Sequence, residues 1–167
     1  MILHRRTALT CLAAAATAPS ALFAASPREI LWDDLIPPGV PYSEIIGPGI
    51  MDEENDTWAP EFDEHATKLN EALNGTLIKI PGFIIPFEIT DGGVTEFLLV
   101  PYIGACLHVP PPPANQLIMV TAADPWPNET LWEAVWVIGT IRTALLKTTV
   151  GQAGYAIQAD RMETYVW

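Results

Sequence analysis

The chain has 167 residues, of which 50% are hydrophobic, and a formal net charge of −12 at pH 7. This length suits a single domain with one hydrophobic core. The acidic balance argues against nucleic acid as a partner, because its phosphates are also negative. Beyond the N-terminal segment, no stretch reaches the roughly 18 uninterrupted apolar residues of a membrane-spanning helix, so we expect no membrane span there.

Residues 1–25 have the pattern of a secretory signal peptide. Arg5 and Arg6 precede an apolar, alanine-rich run, and small residues then follow up to Ser26. This pattern predicts a periplasmic or secreted protein that is cleaved near residues 24–26. The paired arginines leave a twin-arginine export route open. Cleavage would leave six Lys/Arg against twenty Asp/Glu, a charge of about −14.

Residues 26–58 predict an irregular N-terminal arm. They are rich in proline, glycine and acidic side chains and lack the period of a long helix or strand. The acidic run at residues 52–56 lacks the spaced ligands and glycine of a calcium-binding loop, so we interpret it as a solvated turn. Four apolar side chains near the start of the arm are expected to fasten it to the core: Leu31, Trp32, Leu35 and Ile36.

Residues 59–74 predict the one substantial helix. Pro60 suits its first turn, and Gly75 suits the position just after its end. His65 lies beside the apolar stripe and is, with His108, one of two histidines after the signal peptide. It is interpreted either as a surface or half-buried histidine or as a metal ligand. The apolar residues at helical spacing are Phe62, Ala66, Leu69 and Leu73.

Beyond Gly75 the sequence is rich in β-branched and aromatic residues, which indicates short, bent strands. In the fourth strand, alternation places Trp132 and Trp136 on one face, which we expect to pack in the core, and Gly139 is expected to mark a bulge. One helix followed by five or six such strands indicates a mainly β domain at residues 59–167. We expect a small closed or partly open barrel of the oligonucleotide/oligosaccharide-binding (OB) type, with a β-sandwich as the alternative. The predicted strands lie at residues 77–88, 94–102, 116–121, 131–142 and 154–165.

The segment at residues 100–116, VPYIGACLHVPPPPANQ, gathers the chemically active side chains. Its four consecutive prolines favour an extended backbone. In an extended backbone residues two apart point the same way, so Cys106 and His108 share one side. Cleavage of the predicted signal peptide would remove Cys11 and leave Cys106 as the one cysteine, so that no internal disulfide could form. The thiol is therefore buried, ligated, reactive or paired with another chain.

Three interpretations of Cys106 and His108 remain open. The first is a buried thiol beside a hydrogen-bonded histidine, in a structural or interaction module. The second is a site for a soft or borderline metal, zinc or copper(I). The third is a thiol-dependent enzyme or redox protein that uses Cys106. No catalytic residue can be assigned, because the sequence has no complete triad or phosphate loop.

Further binding residues are predicted around this segment. A zinc site needs more than two ligands, and His65, Glu88 or Glu96, a water or a second chain could supply the rest. Three polar residues that flank the prolines and the cysteine are added as candidate binding residues: Tyr102, Asn115 and Gln116. The two amides could cap the loop or hold a partner group.

Four segments carry a family resemblance: PGFIIPFE at residues 81–88, TEFLLVPYIGACLHVPPPPANQ at 95–116, WVIGT at 136–140 and Gly154–Tyr155, with GACLHVPPPPANQ at 104–116 as the central motif. Together they resemble the DUF3299 family of exported bacterial proteins of unknown function. The resemblance covers about Trp32 to Tyr165. It implies a single exported domain, often encoded near transport systems, some of them associated with zinc supply, so that a membrane transporter component is the implied partner. It carries no activity.

Overall fold

A computed structural model describes residues 26–53, 57–103, 111–131 and 133–166. In these ranges the chain forms strands β1 Arg28–Glu29, β2 Ile50–Asp52, β3 Thr57–Ala59, β4 Leu77–Pro86, β5 Val94–Val100, β6 Ile118–Trp126, β7 Val135–Lys147 and β8 Gln152–Thr164. The helices of the same ranges are short 3₁₀ turns at Trp32–Leu35, Glu71–Leu73, Ala114–Gln116 and Asn128–Thr130. None of them is long and apolar enough to cross a membrane.

Five strands close into a barrel. β4 pairs with β5, β5 with β6, β6 with β8 and β8 with β7, and β7 returns to pair with β4. All of these pairs are antiparallel except β6–β8, which is parallel. This order is that of an OB-type Greek-key barrel, so the predicted barrel is confirmed and the sandwich is excluded. β1 lies outside the barrel and pairs in parallel with β4.

Strand alternation fills the barrel interior. The ten residues of β4 alternate between buried and half-buried over most of its length, as expected for a strand with one face on a core. β5 is different, because its apolar run is buried on both faces. Phe97 and Leu99 belong to the main core. Leu98 and Val100 belong to a second cluster on the opposite face of the strand.

The start of the arm is fastened to the barrel as predicted. Leu35 is fully buried, and Trp32 packs against the main core. The Trp32 indole also donates a hydrogen bond to the Pro81 carbonyl oxygen at 2.7 Å. Tyr155, buried on β8, donates its hydroxyl to the Leu35 carbonyl oxygen. Leu31 stays exposed, and Ile36 is half-buried.

The helix predicted for residues 59–74 is wrong. β3 ends at Ala59, Phe62 forms an isolated bridge with Ile45, and turns lead on to the 3₁₀ helix Glu71–Leu73. Part of the backbone of this segment pairs with the arm: the Asp63 N–H donates to the Glu44 carbonyl oxygen, and the Glu61 carbonyl oxygen accepts from the Ile46 N–H. A helix would have to give up that pairing.

The side chain of Asp63 reinforces this choice. Its carboxylate accepts hydrogen bonds from the Ser43 hydroxyl at 2.8 Å and from the backbone N–H groups of His65 and Glu44 at 2.9 and 3.2 Å. Short polar side chains that bind nearby backbone donors compete with helix formation. The apolar spacing of the segment therefore reflects packing of turns and not a helical face.

The predicted core position of Trp136 is also wrong. The core face of β7 carries Val135 and Val137, which are fully buried. Trp136 lies on the outer face, where its ring packs on Tyr165 with centroids 4.9 Å apart. The Lys79 ammonium lies 4.5 Å from the Trp136 ring centroid. Its predicted companion, Trp132, lies outside the described residues.

The bulge predicted at Gly139 is confirmed. The register between β7 and β8 shifts between Ile138 and Gly139. A side chain at Gly139 would collide with the Gln158 carbonyl oxygen, so the close approach of the two strands requires glycine. The segment that follows extends β7 to Lys147 before a tight turn leads into β8.

Candidate functional site

The cysteine- and proline-containing motif connects β5 to β6 at one end of the barrel. Residues 104–110 lie outside the described residues, and Cys106 and His108 are among them. Residues 101–103, the N-terminal flank, and residues 111–116, the C-terminal flank, are described. The site is therefore defined by what holds the two ends of the motif.

Gln116 connects the C-terminal flank to the arm. It is buried, and its side-chain amide donates to the carbonyl oxygens of Trp32 at 3.0 Å and Asn115 at 2.9 Å. Both hydrogen bonds join Gln116 to backbone oxygens of the same chain. The amide of Gln116 thus holds the arm against the start of β6.

Asn115 connects the same flank to the turn at residues 65–68. Its side-chain amide donates to the carbonyl oxygens of His65 at 3.0 Å and Lys68 at 3.3 Å, and its backbone N–H donates to the Ala66 carbonyl oxygen at 2.9 Å. Asn115 is fully buried, and its Oδ1 has no hydrogen-bond partner within the described part of the chain. A buried acceptor in that state costs about 1–3 kcal/mol, so this atom is the polar group of the flank best placed to accept a donor.

Tyr102 belongs to the N-terminal flank. Its half-buried ring packs against the second hydrophobic cluster, which contains Leu98 and Val100. Tyr42 of the arm lies nearby. Partial burial, and then the charges of Tyr102 and Asp33, raise the pKa of the Tyr42 hydroxyl. The N-terminal flank is therefore fixed on the barrel on one side and meets the arm on the other.

His65 lies near the C-terminal flank but already has a polar neighbour. Its Nδ1 is 3.1 Å from the Lys68 ammonium, which in turn is 3.4 Å from the Glu64 carboxylate. An ammonium group can only donate, so Nδ1 acts as the acceptor, and the neutral ring carries its proton on Nε2. Metal binding through Nε2 would require that proton to move. His65 can serve as a ligand only if Lys68 releases Nδ1.

Glu88 and Glu96 lie far from His65. Both are exposed, at the end of the β4–β5 hairpin where Phe87 donates its N–H to the Glu96 carbonyl oxygen at 3.3 Å. The motif begins at the other end of β5, about 13 Å along the strand at roughly 3.3 Å per residue. Asn115, and with it His65, lies at that other end. The structure does not bring these predicted ligands together.

A cleft of about 320 Å³ adjoins the C-terminal flank. The flank contributes Pro111, Pro112 and Ala114, and the β7–β8 turn contributes residues 150–152. Asp63 lies in the third wall. Burial would raise the pKa of Asp63, but hydrogen bonds from the His65 backbone, the Ser43 hydroxyl and the Glu44 backbone outweigh it and lower that pKa. Across the described ranges, no group of three or more His, Cys, Asp or Glu side chains is placed to hold a metal ion.

Comparison with known proteins assigns the chain to a family. The family model described as "Protein of unknown function (DUF3299)" matches residues 32–164. The chain belongs to the DUF3299 family. A crystal structure of a DUF3299 family protein from Pseudomonas aeruginosa PAO1 is 36% identical in sequence and has a TM-score of 0.70, covering 86% of this chain and 99% of that chain. No curated protein matches.

Two site residues of this DUF3299 protein were missed in the sequence. Lys68 determines which ring nitrogen of His65 carries the proton. Asp63 stabilises the turn that places His65 beside Asn115. The Asp63-x-His65 spacing, with an acidic side chain two residues before a turn position, is a signal that could have identified the turn. No comparable signal links His65 to Asn115, because their contact joins residues fifty positions apart.

Proposed function

We propose that this DUF3299 protein is an exported accessory protein that binds a transition metal, zinc first and copper(I) second, through Cys106 and His108. A thiolate and an imidazole two residues apart in extended backbone suit either ion. The signal-peptide pattern supports export, and the family's implied association with transport systems supports a transporter component as the recipient.

The observation that carries this proposal is the fixed C-terminal flank of the motif. Asn115 and Gln116 are buried, and their amides bind the backbone of the arm and of the turn at residues 65–68. A rigid attachment and a proline-rich backbone reduce the entropy lost when two ligands are held around an ion. The flank is therefore a suitable base for a small binding site.

The distribution of the other predicted ligands favours an open site over a structural one. A structural zinc has four ligands. The Nδ1 of His65 accepts from the Lys68 ammonium. Glu88 and Glu96 lie at the end of the β4–β5 hairpin that is opposite to the motif. Cys106 and His108 would thus bind the ion with water or a partner's donor completing the set. Such a site suits transfer of a metal, and the acidic surface attracts cations.

A calorimetric zinc titration of the reduced chain at residues 26–167 tests this proposal. The variants are Cys106→Ala and His108→Ala, with His65→Ala as the matched control for loss of an imidazole. We expect stoichiometric binding that is lost in the first two variants and retained in the third. Wild-type protein that binds no zinc at micromolar concentration would contradict the proposal.

Alkylation of Cys106 without metal separates the competing functions. A buried thiol reacts slowly in the native protein and rapidly after unfolding. A nucleophilic thiol reacts rapidly in the native protein at neutral pH, and His108→Ala slows it. Fast alkylation combined with no zinc binding would favour the thiol-dependent enzyme in place of the metal-binding protein.

A further inference from the structure

Exposed apolar side chains are concentrated in the arm, on a small sheet, the arm hairpin, and in the residues that precede it. This arm hairpin consists of β2 and β3 with the adjoining bridge between Ile45 and Phe62. Of the thirteen large hydrophobic side chains exposed in the described ranges, six lie between residues 42 and 58, with exposed fractions of 40–65%. Exposed apolar clusters of this kind mark interaction surfaces. The six are Tyr42, Ile45, Ile46, Ile50, Met51 and Trp58.

The apolar surface of the arm hairpin is preformed. Met51 and Trp58 are directly opposite in the antiparallel register, so their side chains share one face. The Trp58 indole donates to the Pro48 carbonyl oxygen at 2.8 Å. Its ring lies against Gly49, which has a φ of +75° and no room for a side chain. The ring is therefore held in place while 40% of the residue remains exposed.

In the described residues both faces of the arm hairpin carry exposed apolar side chains. Ile50 neighbours Met51 on the strand and therefore points to the opposite face, where it is also exposed. Within the described residues the sheet has two strands. A two-stranded sheet is marginal by itself, and here apolar side chains emerge on both of its faces. A partner would bury them.

Charge identifies the chemistry of that partner. Residues 29–64 contain eleven Asp/Glu and no Lys, Arg or His. Glu44, Glu53 and Glu61 are exposed on or beside the strands of the arm hairpin. A second copy of the chain or an anionic lipid surface would bring like charges together. A segment with positive side chains beside apolar ones complements both the rim and the centre.

We propose that the arm hairpin is a docking surface for a partner protein, which it binds through a segment in which Lys or Arg side chains flank apolar ones. The apolar side chains pack on Met51 and Trp58 or on Ile50. The cations pair with the exposed glutamates. This interaction is independent of the metal site, because neither Cys106 nor His108 takes part in it.

The test uses the chain at residues 26–167 and a short labelled peptide of alternating Lys and Leu, with a Glu/Leu peptide as control. Binding is followed by fluorescence anisotropy at low and high salt. We expect the Lys/Leu peptide to bind, more weakly at high salt, and the Glu/Leu peptide not to bind. Equal binding of the two peptides would overturn the proposal.

Matched variants locate the binding. Ile50→Ser with Met51→Ser should weaken it by about fivefold or more, whereas Leu145→Ser with Leu146→Ser, at exposed apolar positions on β7, should change it less than about twofold. Glu44→Gln with Glu61→Gln should weaken binding more than Glu129→Gln with Glu133→Gln. The glutamine pair preserves side-chain volume, so it decides the question even if the serine pair unfolds the hairpin.

Three further results would overturn the proposal. Equal weakening by the hairpin and control variants would mean that the peptide senses only the overall charge. Sedimentation of a dimer that the hairpin variants dissociate would make a second copy the occupant. Binding to vesicles of anionic phospholipid that the same variants abolish would make a membrane surface the occupant.

Discussion

The barrel and the arm keep their shapes by different means. Barrel strands pair along most of their lengths, and the ring of pairs is closed. The shape of the barrel is therefore stabilised by many weak contacts together. The arm is fastened at separate points, by the short pairing of β1 with β4, by Trp32 and Leu35 packing on the core, and by single polar groups. Gln116 binds the Trp32 carbonyl oxygen, and Tyr155 binds the Leu35 carbonyl oxygen. We therefore expect the barrel to supply most of the free energy of unfolding. The position of the arm beside the motif depends on a few hydrogen bonds.

Phe97→Ala, inside the barrel, should have the largest effect. Phe97 is fully buried in the main core. Removing such a side chain leaves a cavity and costs about 3–5 kcal/mol in free energy of unfolding. Urea denaturation measures the change. Phe87→Ala, at a partly exposed position, is the matched control, and an equal loss in both variants would mean that the barrel core is not the principal source of stability.

High pH should weaken the hydrogen bond by which Tyr155 of the barrel holds the arm. Burial, the largest cause, and then the charge of Glu71 raise the pKa of the Tyr155 hydroxyl to about 12, against the opposing hydrogen bond from the Asn70 backbone. The unfolded chain loses this proton near pH 10. Between pH 10 and 12 the unfolded state therefore binds fewer protons, and stability falls as pH rises, by about 2–3 kcal/mol in total.

Tyr155→Phe sharpens that prediction. The variant loses the bonds to Leu35 and Asn70 at neutral pH, and its remaining stability should fall less steeply between pH 10 and 12. The measurement is urea denaturation of both proteins across that range. Identical slopes in wild type and variant would show that Tyr155 does not titrate as a buried anchor.

Trp136→Ala, on the outer face of β7, should have the smallest effect of the three. It removes the ring contact with Tyr165 and the contact with the Lys79 ammonium, which together are worth about 1–2 kcal/mol. Thermal unfolding monitored by circular dichroism gives the loss. A cost as large as that of Phe97→Ala would return Trp136 to the core and contradict the register of β7.

The sequence predicted the barrel because its strands obey local rules. The run at β5 contains only apolar residues in its second half, which is typical of a strand covered on both sides, and β5 is covered on both sides. Trp136 was misplaced because both alternating sets of β7 are apolar. Val135 and Val137 compete with Trp136 and Ile138, and alternation alone cannot choose between them.

The structures of the arm and of the site depend on contacts between residues far apart in the sequence, and no local pattern reveals such contacts. The spacing of Phe62, Ala66, Leu69 and Leu73 imitates a helix. Ser43 and Glu44, some twenty residues earlier, bind Asp63 and turn the chain elsewhere. The amides of Asn115 and Gln116 were recognised as possible caps for the motif, but their partners on the arm and in the turn at residues 65–68 could not be found without the fold.

If the chain is exported as proposed, the position of β8 in the barrel constrains the export route. β8 is the last strand along the described chain, yet it lies between β6 and β7 in the barrel. The ring therefore cannot close while β8 is still being synthesised or is inside a membrane channel. On a route that threads an unfolded chain, the leading segments emerge with β6 and β7 lacking their shared neighbour, and folding waits for the trailing end. On an export route for folded proteins, the ring of strands would instead have to close in the cytoplasm before export begins.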